Sequence, residues 1–334
     1  MTAATDVVGT ERPDQLAMLR LRLRRNAWSI GLLAILGGML AFTKLIQPNY
    51  AAPQLTSLSI AVLPAALAAV AQAIVVISGG IDLSIASIMA LTSVTAAVLM
   101  KDQGPEVAIL VVLAVLVLGV AVGAINGALI VVTRVPDIVV TLAMSFVWAG
   151  ATLLVLSTPG GGAADWVKGL VNGTLFLPWL PRAFVALVVV VLVIWIPLRR
   201  SLLGLSLYAL GSNRLAAFRS GVSVGRTRIV AYAITGLFCA MGGLAITGIT
   251  GSGSPLIGPY TLQSVAAIVL GGVSLAGGRG GLAGPILAVA ILQLVRTDLT
   301  ILSVSPSLST AIQGAILIGV VLVGSIQTLR RSAR

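Results

Sequence analysis

The chain has 334 residues, of which 58% are hydrophobic and 9% are charged, and its formal net charge at pH 7 is +12. A water-soluble domain carries roughly 25% charged residues, so this composition excludes a soluble globular protein and predicts an all-α integral membrane protein. One cysteine and no histidine exclude an internal disulfide and a zinc site built from cysteine and histidine.

Ten apolar segments follow a polar, basic segment at 1–26 and precede a short tail at 328–334. With their loops they form one predicted transmembrane domain at 27–327. The segments are 27–46, 56–77, 83–100, 107–133, 138–157, 181–198, 229–249, 261–276, 282–297 and 308–327. A helix needs about 20 residues to cross the hydrocarbon core, so two of them, 261–276 and 282–297, are short for a crossing. The sequence predicts about ten transmembrane helices.

The basic residues indicate how these helices are oriented. If the N-terminus lies in the cytoplasm, 16 of the 21 Lys and Arg residues fall on the cytoplasmic side. The five on the outer side are Lys44, Lys101, Lys168, Arg182 and Arg296. Because short cytoplasmic loops retain Lys and Arg, both termini are expected in the cytoplasm. Membrane topology then explains the net positive charge, and no nucleic acid is expected as a partner.

The longest polar interruption is the loop 199–228, which holds six arginines and no acidic residue. Within it, Asn213 or Ser212 can cap the start of a short helix by accepting free backbone N–H groups. Gly221 can end the helix, because glycine adopts the left-handed backbone conformation that closes one. The sequence therefore predicts a helix of two turns at most on the cytoplasmic side.

The predicted helix has one apolar face. Leu215 and Phe218 are three residues apart on that face, with the flanking arginines elsewhere. A short capped helix outside the membrane suits insertion into a groove of a partner protein, and a solvated loop that touches lipid headgroups is the alternative. The residues predicted for docking are Asn213, Arg214, Leu215, Ala217, Phe218, Arg219 and Gly221.

A polar stretch, Ser78-Gly-Gly-Ile-Asp-Leu-Ser84, separates the second and third apolar segments. Gly79 and Gly80 can end one helix, and Asp82 or Ser84 can cap the next. The stretch is either a capped hairpin near the cytoplasmic surface or a break within the membrane, where Asp82 borders the path of a solute. An aspartate at mid-bilayer costs roughly 2.5–3.5 kcal/mol on insertion scales, so it would need a partner or water.

The same Gly-Gly spacing returns 192 residues later, in Leu270-Gly-Gly-Val-Ser-Leu-Ala276. Matching Gly-interrupted, shortened segments in two parts of a chain point to a transport site, although a match this short can also arise by chance. The residues predicted for the translocation pathway from these stretches are Gly79, Gly80, Asp82, Ser84, Gly271, Gly272 and Ser274.

Several absences argue against catalysis by this chain. It has no Gly-x-x-x-x-Gly-Lys-[Ser/Thr] motif, and no Lys follows a Gly, so the chain does not hold ATP phosphates itself. No paired carboxylates or histidines lie within the predicted spans, as a proton relay would usually require. We expect no catalytic residue, no metal and no cofactor bound by this chain.

Four blocks of the sequence resemble, in the same order, the membrane permease subunits of bacterial ATP-binding-cassette sugar importers of the ribose-permease type. The blocks are 77–93, 123–144, 207–222 and 266–285, and the resemblance covers roughly residues 55–327. The first block is similar to the Gly-Gly-Ile-Asp-Leu-Ser signature of that family. The second, which begins Gly-Ala-Ile-Asn-Gly, adds Asn126 to the predicted pathway.

The resemblance implies half of a pore in the bacterial inner membrane, paired with a second permease subunit that is either the same chain or a different one. Two cytoplasmic ATPase subunits, which bind ATP and Mg, and a periplasmic solute-binding protein complete such a system. By the same likeness, Asn213–Gly221 is the coupling helix that seats in the ATPase. A self-sufficient secondary carrier and a branched-chain amino-acid permease of related architecture are the alternatives.

The chain departs from this resemblance at two places. Related permeases usually have an acidic pair just before the second Gly-Gly, where this chain reads Tyr260-Thr-Leu-Gln-Ser264. The acidic residue often found beside Asn213 is replaced by Arg214-Leu215. These differences leave the solute and the ATPase partner open, and the Gly-Gly-Ile-Asp-Leu-Ser form favours a sugar or polyol.

Overall fold

The computed structural model describes residues 15–305, 307–316, 318–319 and 322, which are predominantly α-helical. In chain order the helices are α1 (Gln15–Ile46), α2 (Ala52–Ile77), α3 (Ile85–Met100), α4 (Pro105–Thr133), α5 (Asp137–Val155), α6 (Asp165–Val171), α7 (Arg182–Val190), α8 (Ile196–Arg200), α9 (Leu202–Ser212), α10 (Arg214–Arg219), α11 (Val224–Thr250), α12 (Tyr260–Leu270) and α13 (Ala283–Ile301). A π-helical turn, Val191–Trp195, joins α7 and α8 into one helix. The predicted all-α class is confirmed.

Within the described ranges, seven helices are long and apolar enough to cross a membrane. They are Ala27–Ile46 of α1, then α2, α4, α5, the continuous helix Arg182–Arg200, α11 and α13. Two of the other predicted crossings are shorter helices, because α3 has 16 residues and α12 has 11. The last predicted crossing, 308–327, lies partly outside the described residues. Conversely, the short segment predicted at 282–297 extends to a helix of 19 residues.

The loop 199–228 contains a second helix, α9, in addition to the one predicted from the sequence. Helix α9 begins directly after Ser201, whose hydroxyl accepts the backbone N–H of Gly204 at 3.2 Å. Leu207 and Leu210 of α9 are buried against the rest of the protein. The apolar run of α9 lies between arginines at both ends of the loop, so the sequence did not indicate it. Helix α9 packs against α2 and α11.

Helix α2 lies at the centre of the protein. Every residue from Val62 to Ile77 is buried, and the helix packs against α11, α13, α12 and α7. Apart from Gln72, this stretch is apolar on all sides, as expected for a helix that is surrounded by other helices. The loop that follows α2 is therefore anchored to the most enclosed part of the fold.

Helices α4 and α11 cross at close range through glycines. Gly119, Gly123 and Gly127 are spaced by four residues and share one face of α4. A Cβ added at Gly123 would lie 2.1 Å from the carbonyl oxygen of Tyr232, and one at Gly236 would lie 2.0 Å from that of Gly119. Only glycine permits the two backbones to approach this closely, as is common between membrane helices.

The short helices α3 and α12 begin beside one another. The backbone N–H of Ala86, near the start of α3, donates to Oγ1 of Thr261, near the start of α12, at 3.0 Å. An 11-residue helix is about 16 Å long, roughly half of the 30 Å hydrocarbon core, so α12 reaches only part of the way across. It ends at Leu270 rather than at the predicted residue 276. The N-termini of α3 and α12 therefore meet at a half-buried hydrogen bond.

Candidate functional site

The first Gly-Gly turn closes helix α2 as predicted. Gly79 has a positive φ of 86°, which a glycine adopts without strain. Its N–H donates to the carbonyl oxygen of Val76 at 2.9 Å, and the N–H of Gly80 donates to that of Val75 at 3.0 Å. This pair of hydrogen bonds is a Schellman motif, which satisfies carbonyl groups that the end of a helix leaves free.

The turn leads into a buried chain of polar side chains. Nε1 of Trp148 donates to Oδ1 of Asn126 at 3.1 Å, and Nδ2 of Asn126 donates to Oγ of Ser84 at 2.8 Å. Ser84 in turn donates its hydroxyl to Oδ1 of Asp82 at 2.6 Å. Asp82, Ser84 and Asn126 have no exposed surface. The structure thus brings together three of the predicted pathway residues, and the chain of donors ends on the carboxylate.

Ser84 occupies the N-cap position of α3 as predicted, but the predicted side-chain capping bond is not formed. Oδ1 of Asp82 accepts the backbone N–H of Ser84 at 2.7 Å, and this residue precedes α3 instead of belonging to it. Neither side chain accepts a free N–H of α3; Thr261 takes the N–H of Ala86 instead. The second oxygen of Asp82 is buried and has no hydrogen-bond partner within the described structure. Asp82 therefore holds Ser84, the residue before α3, through Oδ1, and its Oδ2 remains a free acceptor.

The loop 79–84, called the Asp82 loop below, is held by α5 and α11. The hydroxyl of Thr141 accepts the N–H of Leu83 at 3.1 Å. One turn earlier on α5, Asp137 forms an ion pair with Arg228 and accepts the hydroxyl of Tyr232 at 2.8 Å. The cluster was not predicted from the sequence, because Arg228 lies in a basic loop whose charge membrane topology already explains. The sequence signal for it is that Asp137, Arg228 and Tyr232 all lie at or near the ends of apolar segments.

The second Gly-Gly turn has the same construction with a shift of one residue. The N–H of Gly272 donates to the carbonyl oxygen of Val269 at 3.0 Å, and the N–H of Val273 donates to that of Ile268 at 2.9 Å. Gly272, with a φ of 78°, is therefore the equivalent of Gly79, whereas the sequence spacing pairs Gly79 with Gly271. The two turns are alike, as predicted, in the way that each one ends a helix.

Helix α1 covers this second turn. Nε1 of Trp28 donates to the carbonyl oxygen of Leu270 at 2.9 Å and so satisfies one of the free carbonyl groups at the end of α12. A Cβ added at Gly272 would lie 2.7 Å from the Trp28 ring. The backbone N–H of Ser274 bonds within its own loop, to the carbonyl oxygen of Arg279 at 3.1 Å. The hydrogen bonds described for the protein do not link Gly271, Gly272 or Ser274 to Asp82.

A later part of the second loop meets the first turn instead. The N–H of Gly278 donates to the carbonyl oxygen of Ile77, the last residue of α2, at 2.9 Å. The hydroxyl of Tyr208 in α9 donates to the carbonyl oxygen of Gly280 at 2.8 Å. Burial raises the pKa of the Tyr208 hydroxyl above its ordinary value, which favours the protonated form that donates this hydrogen bond. The ends of α2 and α9 are thus joined through this loop.

The short helix predicted within the loop 199–228 is present as α10. Oδ1 of Asn213 accepts the N–H of Ala216 at 2.9 Å, so Asn213, and not Ser212, is the cap. Gly221, with a φ of 85°, ends the helix in a third Schellman motif, in which the N–H of Val222 donates to the carbonyl oxygen of Ala217 at 3.0 Å. Local sequence determines both ends, which is why both were predictable.

Helix α10 turns its large apolar side chains outwards. Leu215 is 58% exposed and Phe218 is 67% exposed, whereas Ala217 is buried. Beside them lies a groove of about 490 Å³, lined by Val131, Arg214, Leu215, Phe218, Val224, Gly225 and Arg228. A surface with two large exposed apolar side chains and basic flanks is suited to contact with another macromolecule.

Comparison with known proteins identifies the family of the chain. The family described as "Branched-chain amino acid transport system / permease component" matches residues 54–321. The ribose import permease protein RbsC of Escherichia coli K12 is 32% identical over 268 residues, which is 77% of this chain and 81% of RbsC. The autoinducer 2 import system permease protein LsrD of Escherichia coli O9:H4 is 31% identical over 263 residues, which is 77% of this chain and 79% of LsrD. No solved structure matches the chain.

The family match covers the Asp82 loop, the second Gly-Gly turn and α10 together. The relatives named above are import permeases, and the chain covers most of their length. The resemblance to permease subunits of sugar importers is therefore confirmed. This multi-pass membrane protein belongs to the family of branched-chain amino acid transport system permease components, and it is similar to the ribose and autoinducer 2 import permeases.

Proposed function

We propose that the chain forms half of the translocation pathway of an ATP-driven importer for a sugar or polyol. The observation that carries this proposal is α10, a capped helix with Leu215 and Phe218 exposed, in a chain whose relatives import ribose and autoinducer 2. The solute path is assigned to the region where α3 and α12 begin, beside the polar chain that ends on Asp82. Discontinuous helices whose N-termini meet inside a bundle are a common way to build a transport site.

The partners follow from the same proposal. A second permease subunit, the same chain or a homologue, completes the pore, and a periplasmic binding protein delivers the solute. Two ATPase subunits bind ATP and Mg and dock on α10. Hydrolysis is assigned to these subunits because the chain has no phosphate-binding loop, and its own role is to alternate access.

Uptake measurements test the proposal. Cells that lack this chain are compared with cells that regain it, using radiolabelled ribose, other monosaccharides, polyols and leucine as probes. We expect uptake of a sugar or polyol that requires the ATPase subunits and the binding protein. Uptake that needs no ATPase subunit would indicate a secondary carrier, and uptake of leucine alone would indicate an amino-acid permease.

The proposed topology has about ten crossings, with α12 as a partial one, and both termini in the cytoplasm of a bacterial cell. It places 1–26 and 328–334 inside, and α6 and α10 on opposite sides of the inner membrane. In a Cys239→Ser background, we expect an impermeant thiol reagent applied to spheroplasts to label Asp165→Cys and not Ser220→Cys. Asp165 suits the test because its side chain is 98% exposed. Labelling of position 220 in sealed spheroplasts would reverse the orientation.

Substitutions at Asp82 separate a role in folding from a role in transport. Asp82→Ala removes the acceptor for the N–H and the hydroxyl of Ser84, so the free energy of unfolding should fall by about 1–3 kcal/mol. Asp82→Asn keeps an oxygen acceptor but removes the charge at the end of the polar chain. We expect Asp82→Asn to fold and to import poorly, measured as uptake per folded transporter. Uptake at the normal rate would remove Asp82 from the pathway and leave it as a structural residue.

A further inference from the structure

Arg228 connects the docking surface, which consists of α10 and the groove beside it, to the interior of the protein. Its side chain lines the groove beside α10, and its guanidinium donates to Oδ1 of Asp137. The side chain of Arg228 is 17% exposed and that of Asp137 is 10% exposed. An ion pair this deep has lost most of its hydration, so its net contribution to stability is a weak reason for its presence. Its position between two functional regions is more informative.

Tyr232 continues the connection from Asp137 to the Asp82 loop. Its hydroxyl donates to Oδ2 of Asp137 at 2.8 Å. The hydroxyl oxygen of Tyr232 also lies 3.3 Å from the carbonyl oxygen of Ile81. Gly80 rests directly on this pair, because a Cβ there would lie 2.5 Å from Oδ2 of Asp137 and 2.8 Å from the Tyr232 oxygen. The backbone immediately before Asp82 is therefore supported by the carboxylate and the tyrosine.

The contacts form an unbroken path from Arg228, through Asp137 and Tyr232, to the backbone of Ile81, and the three side chains belong to α5 and α11. Arg228 and Tyr232 stand four residues apart on one face of α11, and Asp137 is the first residue of α5. Both oxygens of the Asp137 carboxylate are engaged, one by each partner. Charge-assisted hydrogen bonds are short and strongly directional when little water surrounds them, so displacement of one member displaces the others.

We propose that Arg228, Asp137 and Tyr232 are positioning residues that couple movement of α10 to the Asp82 loop. The inference rests on the proposed function, because it takes α10 as the place where the ATPase docks. When the ATPase moves α10, the wall of the groove moves with it, and the Arg228–Asp137–Tyr232 relay shifts the backbone at Ile81. Coupling of this kind is reciprocal, so solute at the Asp82 loop also alters the docking surface.

The test follows the Asp82 loop directly and does not require the solute to be known. Leu83→Cys in a Cys239→Ser background provides a reporter, and the permease is purified with its ATPase subunits in lipid nanodiscs. The rate of labelling by a small methanethiosulfonate is measured without nucleotide and with ATP plus vanadate, and ATP hydrolysis is measured in parallel. We expect the nucleotide to change the labelling rate in this parent complex.

Tyr232→Phe keeps the volume of the side chain and removes only the hydroxyl. We expect it to reduce the nucleotide-dependent change in labelling about tenfold, the scale set by one hydrogen bond to a charged group, while the complex still hydrolyses ATP. Arg226→Gln is the matched control: Arg226 is an exposed arginine two residues from Arg228, and its removal should leave the change intact. The double variant Asp137→Asn/Arg228→Gln removes the ion pair without leaving a lone buried charge, and should behave like Tyr232→Phe.

Each other outcome overturns the inference. It fails if either folded variant keeps the full nucleotide-dependent change, or if the parent complex shows no change at position 83. It also fails if hydrolysis and the labelling change fall in proportion, or if neither variant folds, because the three residues are then structural only. Loss of the ATPase from the parent complex is a different result, which contradicts the proposed function itself.

Discussion

Replacing Leu215 and Phe218 together with serine should release the ATPase subunits from this permease and abolish uptake, while the membrane domain stays folded. Both side chains are mainly exposed and contribute little to the core of the chain itself. Burial of one Leu or Phe side chain in a partner contributes about 1.5–3 kcal/mol. Loss of both should therefore weaken docking by about a hundredfold or more. Co-purification of the ATPase with the tagged permease measures the effect.

The control for this prediction keeps the apolar character of the same positions. Leu215→Met/Phe218→Met should retain the ATPase, because methionine fills apolar grooves of irregular shape. If α10 instead touches lipid headgroups, its positive charge matters and its apolar face does not. In that case the double serine variant would keep its ATPase and transport normally, and the docking assignment would be wrong.

The parts of the site that sequence predicted best are those with local causes. The start of α10 depends on Asn213 and its end on Gly221, residues whose side chain or backbone acts within one turn. The turn after α2 was predictable for the same reason, because Gly79 supplies a left-handed conformation at a helix end. The overall class followed from hydropathy, since a membrane leaves few alternatives to helices.

The parts that sequence did not predict depend on contacts between distant residues. Arg228 and Asp137 are 91 residues apart in the chain, and Thr261 and Ala86 are 175 apart. The charge pattern indicated only that Arg228 faces the cytoplasm. The positive-inside rule does not distinguish a solvated arginine from a buried one. The Gly-Gly repeat was similarly ambiguous, because helix termination requires glycine whether or not a solute passes nearby.

One determinant of the fold is visible in the sequence as a repeat of glycines. Gly119, Gly123 and Gly127 form a small-residue pattern with a spacing of four, which is typical of helices that pack closely in membranes. The structure shows that this pattern sets the contact between α4 and α11, and thereby places Asn126 of α4 and Tyr232 of α11 near the Asp82 loop. Packing of the two helices and geometry of the site are therefore linked.

Gly123→Ala should destabilise the protein, whereas the same substitution at Gly150 should not. The new Cβ at position 123 would lie 2.1 Å from the carbonyl oxygen of Tyr232, a backbone atom that moves only if α11 moves. Overpacking of this kind typically costs about 1–3 kcal/mol. Gly150 lies inside α5 with no atom within 4 Å of its added Cβ. There alanine should be neutral or stabilising by about 0.5–1 kcal/mol, because it has less backbone entropy to lose.

Thermal unfolding of the two variants in detergent, followed by the fraction that stays monodisperse, measures the difference. We expect Gly123→Ala to unfold at a lower temperature than the unmodified chain and Gly150→Ala to unfold at an equal or higher one. Because Tyr232 carries the hydroxyl that supports Ile81, separation of the helices at Gly123 should also disturb the Asp82 loop. Equal stability of both variants would mean that α4 and α11 do not meet through their glycines, and the placement of Tyr232 against Asp137 would then have to be revised.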